Sequence, residues 1–220
     1  MKKESPAEIL KEVVIENDSF VSSRGKEYFE NHIHSQNPQI TLITCSDARV
    51  QPSIFSEEMI DKVFVIRNIG NQLENNTGSV DYGIFHLKTP LLLILGHVHC
   101  GAIKAFLEGY ENESRSIRNE LDHLCIPMKK ACGDNFEDQW LKAVEENVHW
   151  QVKLAMERYE ALVKKDLLAI VGAVYDFANY YGKGYGRIKL INVNGERSPD
   201  KIKKLKVTSL IPESITELIV

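Results

Sequence analysis

Apolar positions along the chain follow two periods, and the two alternate regularly from residue 40 onward. Before that point Ile9, Leu10, Val13 and Val14 share a helical spacing. Phe20, Tyr28, Phe29 and Ile33 continue it across the break at Ser22-Ser23-Arg24-Gly25, so residues 1–35 read as a helical arm. Residues 40–45 form a β-rich run introduced by Asn37-Pro38, which predicts a buried strand whose C-terminal end delivers Cys45. A strand over 62–67, a helix over 77–87, a strand over 91–95 and a helix over 101–107 follow. The pattern then loosens into a polar insert, 108–146, with short helical pieces. Val144, Val148, Val152, Ala155, Met156, Tyr159 and Leu162 predict a helix over 143–164 with at most one break. A fourth strand is expected over 167–174, and a fifth over 187–193 after the glycine-rich turn at 182–186. Strand and helix alternate, so the expected fold is α/β, with a central, mostly parallel sheet flanked by helices. No linker divides the chain, which reads as one domain over 1–220 with an amphipathic tail at 199–220.

Composition narrows the partners. The longest apolar stretches, 91–95 and 167–174, fall far short of the ~18 residues needed to span a bilayer. The charged start, Met1-Lys2-Lys3-Glu4, leads into no apolar signal core, so a cytoplasmic protein without a membrane partner is expected. A net charge of −4 disfavours phosphate backbones, which argues against nucleic acid. The four cysteines, Cys45, Cys100, Cys125 and Cys132, are too few and too scattered for a secreted disulfide framework in 220 residues. Metal binding or catalysis is then the question to put to them. A redox role would call for a C-x-x-C pair, which the chain lacks.

Two clusters carry candidate chemistry: Cys45-Ser46-Asp47-Ala48-Arg49 after the first strand and His97-Val98-His99-Cys100-Gly101 after the third. In a parallel sheet ligands collect outside the carboxyl ends of the strands, so segments far apart in sequence can converge there. Cys45, Cys100 and one histidine would surround a divalent metal with two thiolates and an imidazole, leaving a fourth position open. Two sulfurs favour zinc over magnesium or calcium. Taken singly each fragment is weak: H-x-x-C arises by chance, a buried cysteine is commonly a small hydrophobe, and Asp47 with Arg49 could be a solvated turn.

Together these residues resemble the β-class carbonic anhydrases, whose C-x-D-x-R and H-x-x-C signatures are both intact. The likeness extends through Arg67-Asn68-Ile69-Gly70-Asn71, Gly78-Ser79-Val80-Asp81-Tyr82, Gly96 to Ala105, Asn147-Val148 and Gly172-Ala173-Val174-Tyr175-Asp176. It covers residues 36–110 and 144–193 in the family's order. The resemblance implies Cys45, His97 and Cys100 as ligands of one Zn2+ per chain, Asp47 and Arg49 as the catalytic dyad, and reversible hydration of CO2 to bicarbonate by zinc-bound hydroxide. With two thiolates on the metal, activity should rise toward alkaline pH.

It further implies Gln36 as a donor to substrate oxygen and Phe64, Ile69 and Tyr82 as an apolar wall for CO2. Gln36 could equally be a solvated loop residue, and Phe64 and Ile69 ordinary core. An arm that embraces a second copy, giving a homodimer or dimer of dimers with its site at the interface, is implied as well. In some members bicarbonate at a Trp-Arg-Tyr pocket closes the zinc site. The matching positions here are Leu42, Arg67 and Tyr175, so this regulation is not expected. His99 reads as an idle surface residue, with a place as ligand instead of His97 or a proton relay as the alternatives. Cys125 and Cys132 read as a free pair in the insert. Two alternatives to CO2 hydration are hydrolysis of CS2 or COS on the same zinc site and a non-catalytic zinc-binding relative.

Overall fold

The computed structural model describes residues 4–124 and 133–220. Cys125 and Cys132 lie outside them. The chain forms two compact units, 1–37 and 38–220.

In the first unit, α1 (Pro6–Ser23) begins at a reciprocal cap: Ser5 Oγ accepts from the Glu8 amide while the Ser5 amide donates to the Glu8 carboxylate, and Pro6 opens the first turn. After Gly25, α2 (Lys26–Glu30) brings Tyr28 and Phe29 against Phe20 in edge-to-face contacts with ring centroids 6.0 and 6.4 Å away, while Tyr28 and Phe29 meet each other at 5.1 Å. None of the residues of either helix is buried.

The second unit is built on a five-stranded sheet: β1 (Ile40–Cys45), β2 (Val63–Asn68), β3 (Leu91–His97), β4 (Ala169–Asp176) and β5 (Arg187–Val193), in spatial order β2-β1-β3-β4-β5. The first four strands are mutually parallel, and β5 runs antiparallel to β4. The mostly parallel sheet expected from the alternating pattern is therefore present. From β1 the chain goes to β2 on one side, and from β2 it returns to β3 on the other. The carboxyl ends of β1 and β3 thus lie side by side where the connections diverge, the place at which such sheets open a crevice.

Helices α3 (Thr77–Asp81), α4 (Gly101–Glu108), α5 (Arg115–Asp122), α6 (Phe136–Val163) and α7 (Pro199–Ile202) complete the unit. The long α6 covers one sheet face with Val144, Val148, Val152, Ala155 and Tyr159, all buried. Such side chains contribute about 1.5–3 kcal/mol each when fully removed from water. Gly96 and Gly172 permit this approach: a Cβ on either would lie 2.7 Å from a Val148 or Val152 methyl. The opposite face buries Leu42, Leu93, Leu95, Val171, Ala173 and Val193 under Ile202 and Ile219 of the tail, and the Val220 amide donates to the Leu190 carbonyl at the β5 edge.

Several boundaries differ from the expected ones. The helix expected over 77–87 is α3 followed by a π turn, Tyr82–His86, in which the Leu87 amide reaches back to the Tyr82 carbonyl. Helix α6 is unbroken and starts inside the polar insert, because the Asn135 side chain caps it and Trp140 packs into the core. Strands β3 and β4 run two residues past their apolar runs, as His97 pairs in register with Tyr175. No helix among the described residues is long and apolar enough to cross a membrane.

Candidate metal centre and its ion pair

Cys45 ends β1, His97 ends β3, and Cys100 stands at the N-cap of α4. All three are buried, and their ligand atoms lie within 4.8 Å of one another, with Cys45 Sγ and Cys100 Sγ 3.9 Å apart. The imidazole is oriented by its own neighbour: His97 Nδ1 lies 2.8 Å from the Val98 carbonyl oxygen, which accepts a hydrogen bond from the Nδ1–H. Nε2 is thereby left as the free lone pair, buried and without a partner. A buried nitrogen with no hydrogen-bond partner costs free energy unless something occupies its lone pair. A soft divalent metal fits this set of two sulfurs and one imidazole nitrogen.

The thiols are electrostatically unequal. The Cys100 thiol beside it, then His97 and the Gly70 amide, push Cys45 down, against the opposing effect of burial. Proximity to Cys45, and then burial, push Cys100 up, while the first amides of α4, Ala102 and Ile103, favour its thiolate.

The turn after β1 carries Asp47 and Arg49. Arg49 Nε donates to Asp47 Oδ1 at 2.9 Å and Nη2 to Oδ2 at 2.6 Å, while the Arg49 amide adds a third bond to Oδ1 at 2.9 Å. The Arg49 guanidinium, opposed by partial burial, holds the Asp47 carboxyl down at about 2. Asp47 Oδ2 lies 3.8 Å from the free Nε2 of His97, so the carboxylate borders the ligand cluster. Arg67 shapes this turn by donating to the main-chain carbonyls of Cys45, Asp47 and Val50.

The two signature clusters are thus brought together. Of the other residues singled out, Phe64 and Tyr82 meet each other, with ring centroids 5.8 Å apart. Phe64 pairs with Thr41, four rows from the Cys45–Asn68 pair, which is about 13 Å along the strand at the usual rise per residue. Ile69 directly follows β2 and is partly buried against the core. Gln36 is exposed in the 1–37 unit.

Three aromatic residues at the site escaped the pattern reading. Phe177 lies under the Arg49 guanidinium at 4.6 Å and stacks on His97 at 6.1 Å. It stands immediately after β4, so a bulky aromatic at a strand end was the signal available. Trp140 donates from its indole to the Cys100 carbonyl at 3.0 Å, and Tyr180 contacts His99. Trp140 reaches the site from the insert that reads as polar, and Tyr180 from the stretch between β4 and the glycine-rich turn, so nothing local links either to the signature clusters.

Comparison with known proteins agrees with this geometry. The family model described as carbonic anhydrase matches residues 40–183. A carbonic anhydrase from Synechocystis sp. is 29% identical over 154 residues, covering 64% of this chain and 56% of the relative. Beta carbonic anhydrase 3 from Arabidopsis thaliana is 31% identical over 161 residues, covering 65% and 62%. The chain therefore spans about three fifths of the length of these curated relatives. Among solved structures, the Coccomyxa β-carbonic anhydrase in complex with acetazolamide superposes with a TM-score of 0.70 at 26% identity, covering 92% of this chain and 93% of that one. Since the family match runs from the start of β1 past the end of β4, and so through both strand-end clusters, the chain belongs to the carbonic anhydrase family, in its β class.

Proposed function

We propose that the chain catalyses the reversible hydration of CO2 to bicarbonate and a proton, using one Zn2+ held by Cys45, His97 and Cys100. The observation that carries this reading is the buried, unpartnered Nε2 of His97, with both thiols within ligand distance and the Asp47 carboxylate 3.8 Å away. When bound, zinc supplies the Lewis acid that brings the pKa of a water toward the neutral range. Asp47, ionised throughout that range, accepts a hydrogen bond from the attacking water and turns its lone pair toward CO2. Arg49 occupies both carboxylate oxygens, which keeps Asp47 from swinging onto a ligand position.

In this reading Phe64, Ile69 and Tyr82 form the apolar wall that admits uncharged CO2, and Gln36 donates to substrate oxygen. The distance of Phe64 from Cys45 along β2, and the exposed Ile9, Leu10, Val13 and Val14 of α1, favour a site completed by a second copy of the chain. A homodimer or dimer of dimers in the cytoplasm is the expected form. A fully active monomer in dilute solution would overturn the shared site. With Leu42 buried in the core and Arg67 engaged on main-chain carbonyls, closure of the site by bicarbonate is not expected.

The test is elemental analysis for zinc alongside stopped-flow CO2 hydration from about pH 6.5 to about 9, on wild type and Asp47→Ala. One zinc per chain with alkaline-rising activity, lost in the variant, is expected. Stoichiometric zinc without hydration, but with turnover of CS2 or COS, would move the assignment to those substrates, and absence of zinc would overturn it.

A further inference from the structure

His99 stands between the ligands His97 and Cys100 with a backbone φ of 54°, in the left-handed region that an L residue occupies only when its surroundings hold it there. Its ring stacks on Trp140 at 4.9 Å with the planes 21° apart, and the Tyr180 ring meets its edge at 5.2 Å. His99 Nε2 lies 2.7 Å from the Tyr180 hydroxyl, and that hydroxyl donates to Glu137 at 2.6 Å. Tyr180 has one proton, and it goes to Glu137. The bond between the rings therefore runs from His99 Nε2–H to the Tyr180 oxygen.

So held, the His99 turn presents its main-chain carbonyl to Arg49, whose Nη2 donates to it at 3.0 Å. The same Nη2 donates to Asp47 Oδ2, the carboxylate oxygen facing His97. The Arg49 side chain is 50% exposed, so burial does not place it, and its hydrogen bonds and the Phe177 face must. Phe177 and Tyr180 belong to one turn, organised by the buried Asp176 carboxylate, which accepts from the amides of Ala178, Tyr180 and Tyr181.

We propose that Tyr180 is a positioning residue for the Asp47–Arg49 pair: its hydrogen bond to His99 fixes the carbonyl on which Arg49 Nη2 rests, and so the angle at which Arg49 presents the Asp47 carboxylate. The proposal rests on the reading of Asp47 and Arg49 as the working pair. A hydroxyl that only packed the 176–181 turn would affect stability and leave Arg49 where it is.

Tyr180→Phe removes the hydroxyl and keeps the ring, on a side chain that is partly solvent-exposed, so the variant folds. The Arg49 Nε–H signal in 1H–15N spectra of the zinc-loaded protein, assigned by its loss in Arg49→Lys, reads the pair without turnover. In Tyr180→Phe that signal is expected to shift and its exchange with water to quicken. The loss of one hydrogen bond should lower kcat for CO2 hydration about fivefold while KM and zinc content hold. An unchanged Arg49 signal and exchange rate would overturn the proposal, and a shifted signal with unchanged kcat would overturn its consequence for the reaction. Wild-type protein that binds zinc without hydrating CO2 would overturn the proposed function instead, while the Arg49 signal would still decide whether Tyr180 positions the pair.

Discussion

Among the described residues of the second unit, two Asp–Arg pairs share nearly the same construction and differ in their surroundings. In both, the arginine fork meets the carboxylate with Nε on Oδ1 and Nη2 on Oδ2: Arg49 on Asp47, and Arg158 on Asp81. Both arginines are about half-exposed, and both carboxylates are partly buried, Asp47 more than Asp81. What differs is the next group. Asp81 Oδ1 takes the hydroxyl of the buried Tyr159 at 2.7 Å, which ties α3 to α6 and leaves nothing unsatisfied. Asp47 Oδ2 instead looks across 3.8 Å at a buried nitrogen that has no partner. An exposed ion pair is worth little in either role, and it is the neighbouring group that makes one a strut and the other a candidate catalytic pair.

The comparison can be broken from either side. Asp47→Ala is expected to cost about 100-fold or more in stopped-flow CO2 hydration. Its calorimetric Tm should stay near that of wild type, and a large Tm drop with activity retained would reverse the two roles. Asp81→Ala should do the opposite. Losing the carboxylate leaves the Tyr159 hydroxyl and Arg158 without their acceptor, at a cost of about 2 kcal/mol, or roughly 4–8 °C in Tm, with kcat unchanged.

Acid should then erase the second difference. The Arg158 guanidinium, opposed by slight burial and helped by the Tyr159 hydroxyl, holds the Asp81 carboxyl below its ordinary value of 3.8. The folded state therefore binds that proton less readily than the unfolded chain. The stabilisation is present above about pH 4 and is lost as the pH falls through the folded value, so the Tm gap between wild type and Asp81→Ala should close on acidification. Asp47 is depressed in the same sense, to about 2, so an alkaline rise in activity must come from a group other than Asp47. The smallest effect is expected for Arg158→Lys, which keeps the charge and loses the fork: about 0.5 kcal/mol in a denaturant titration, with activity as in wild type.

The two pairs also show what a sequence can disclose. Asp47 and Arg49 are two residues apart and lie in a recognisable motif with Cys45, whereas Asp81 and Arg158 are separated by 77 positions, and nothing local links them. Ile40–Cys45 and Arg187–Val193 were legible because β-branched and other apolar residues recur along them and turn residues bound them, even though Thr41, Thr44, Lys189 and Asn192 are buried within them. β3 and β4 were read short at their carboxyl ends, where the apolar run stops before the buried His97 and Asp176. In a parallel sheet the carboxyl ends of the central strands are covered, so a polar residue that ends an apolar run there is still paired. The start of α6 was missed because Asn135 to Gln139 are mostly polar, while the contacts that make them helical are a cap and the burial of Trp140.

By itself the sequence determined the alternation of strand and helix and singled out the two strand-end clusters that carry Cys45, Asp47, Arg49, His97 and Cys100, because each is written in local spacing or in a short motif. The tertiary structure decided three things. It put β1 beside β3, so that Cys45 meets His97 and Cys100; it turned His97 Nδ1 onto a carbonyl and left Nε2 free; and it brought Trp140 from the polar insert, and Phe177 and Tyr180 from the turn after β4, onto the two strand-end clusters. The reason is physical: spacing along the chain sets which residues share a strand or a helix face, but a hydrogen bond or a ring contact between distant segments exists only once packing has fixed where each backbone runs.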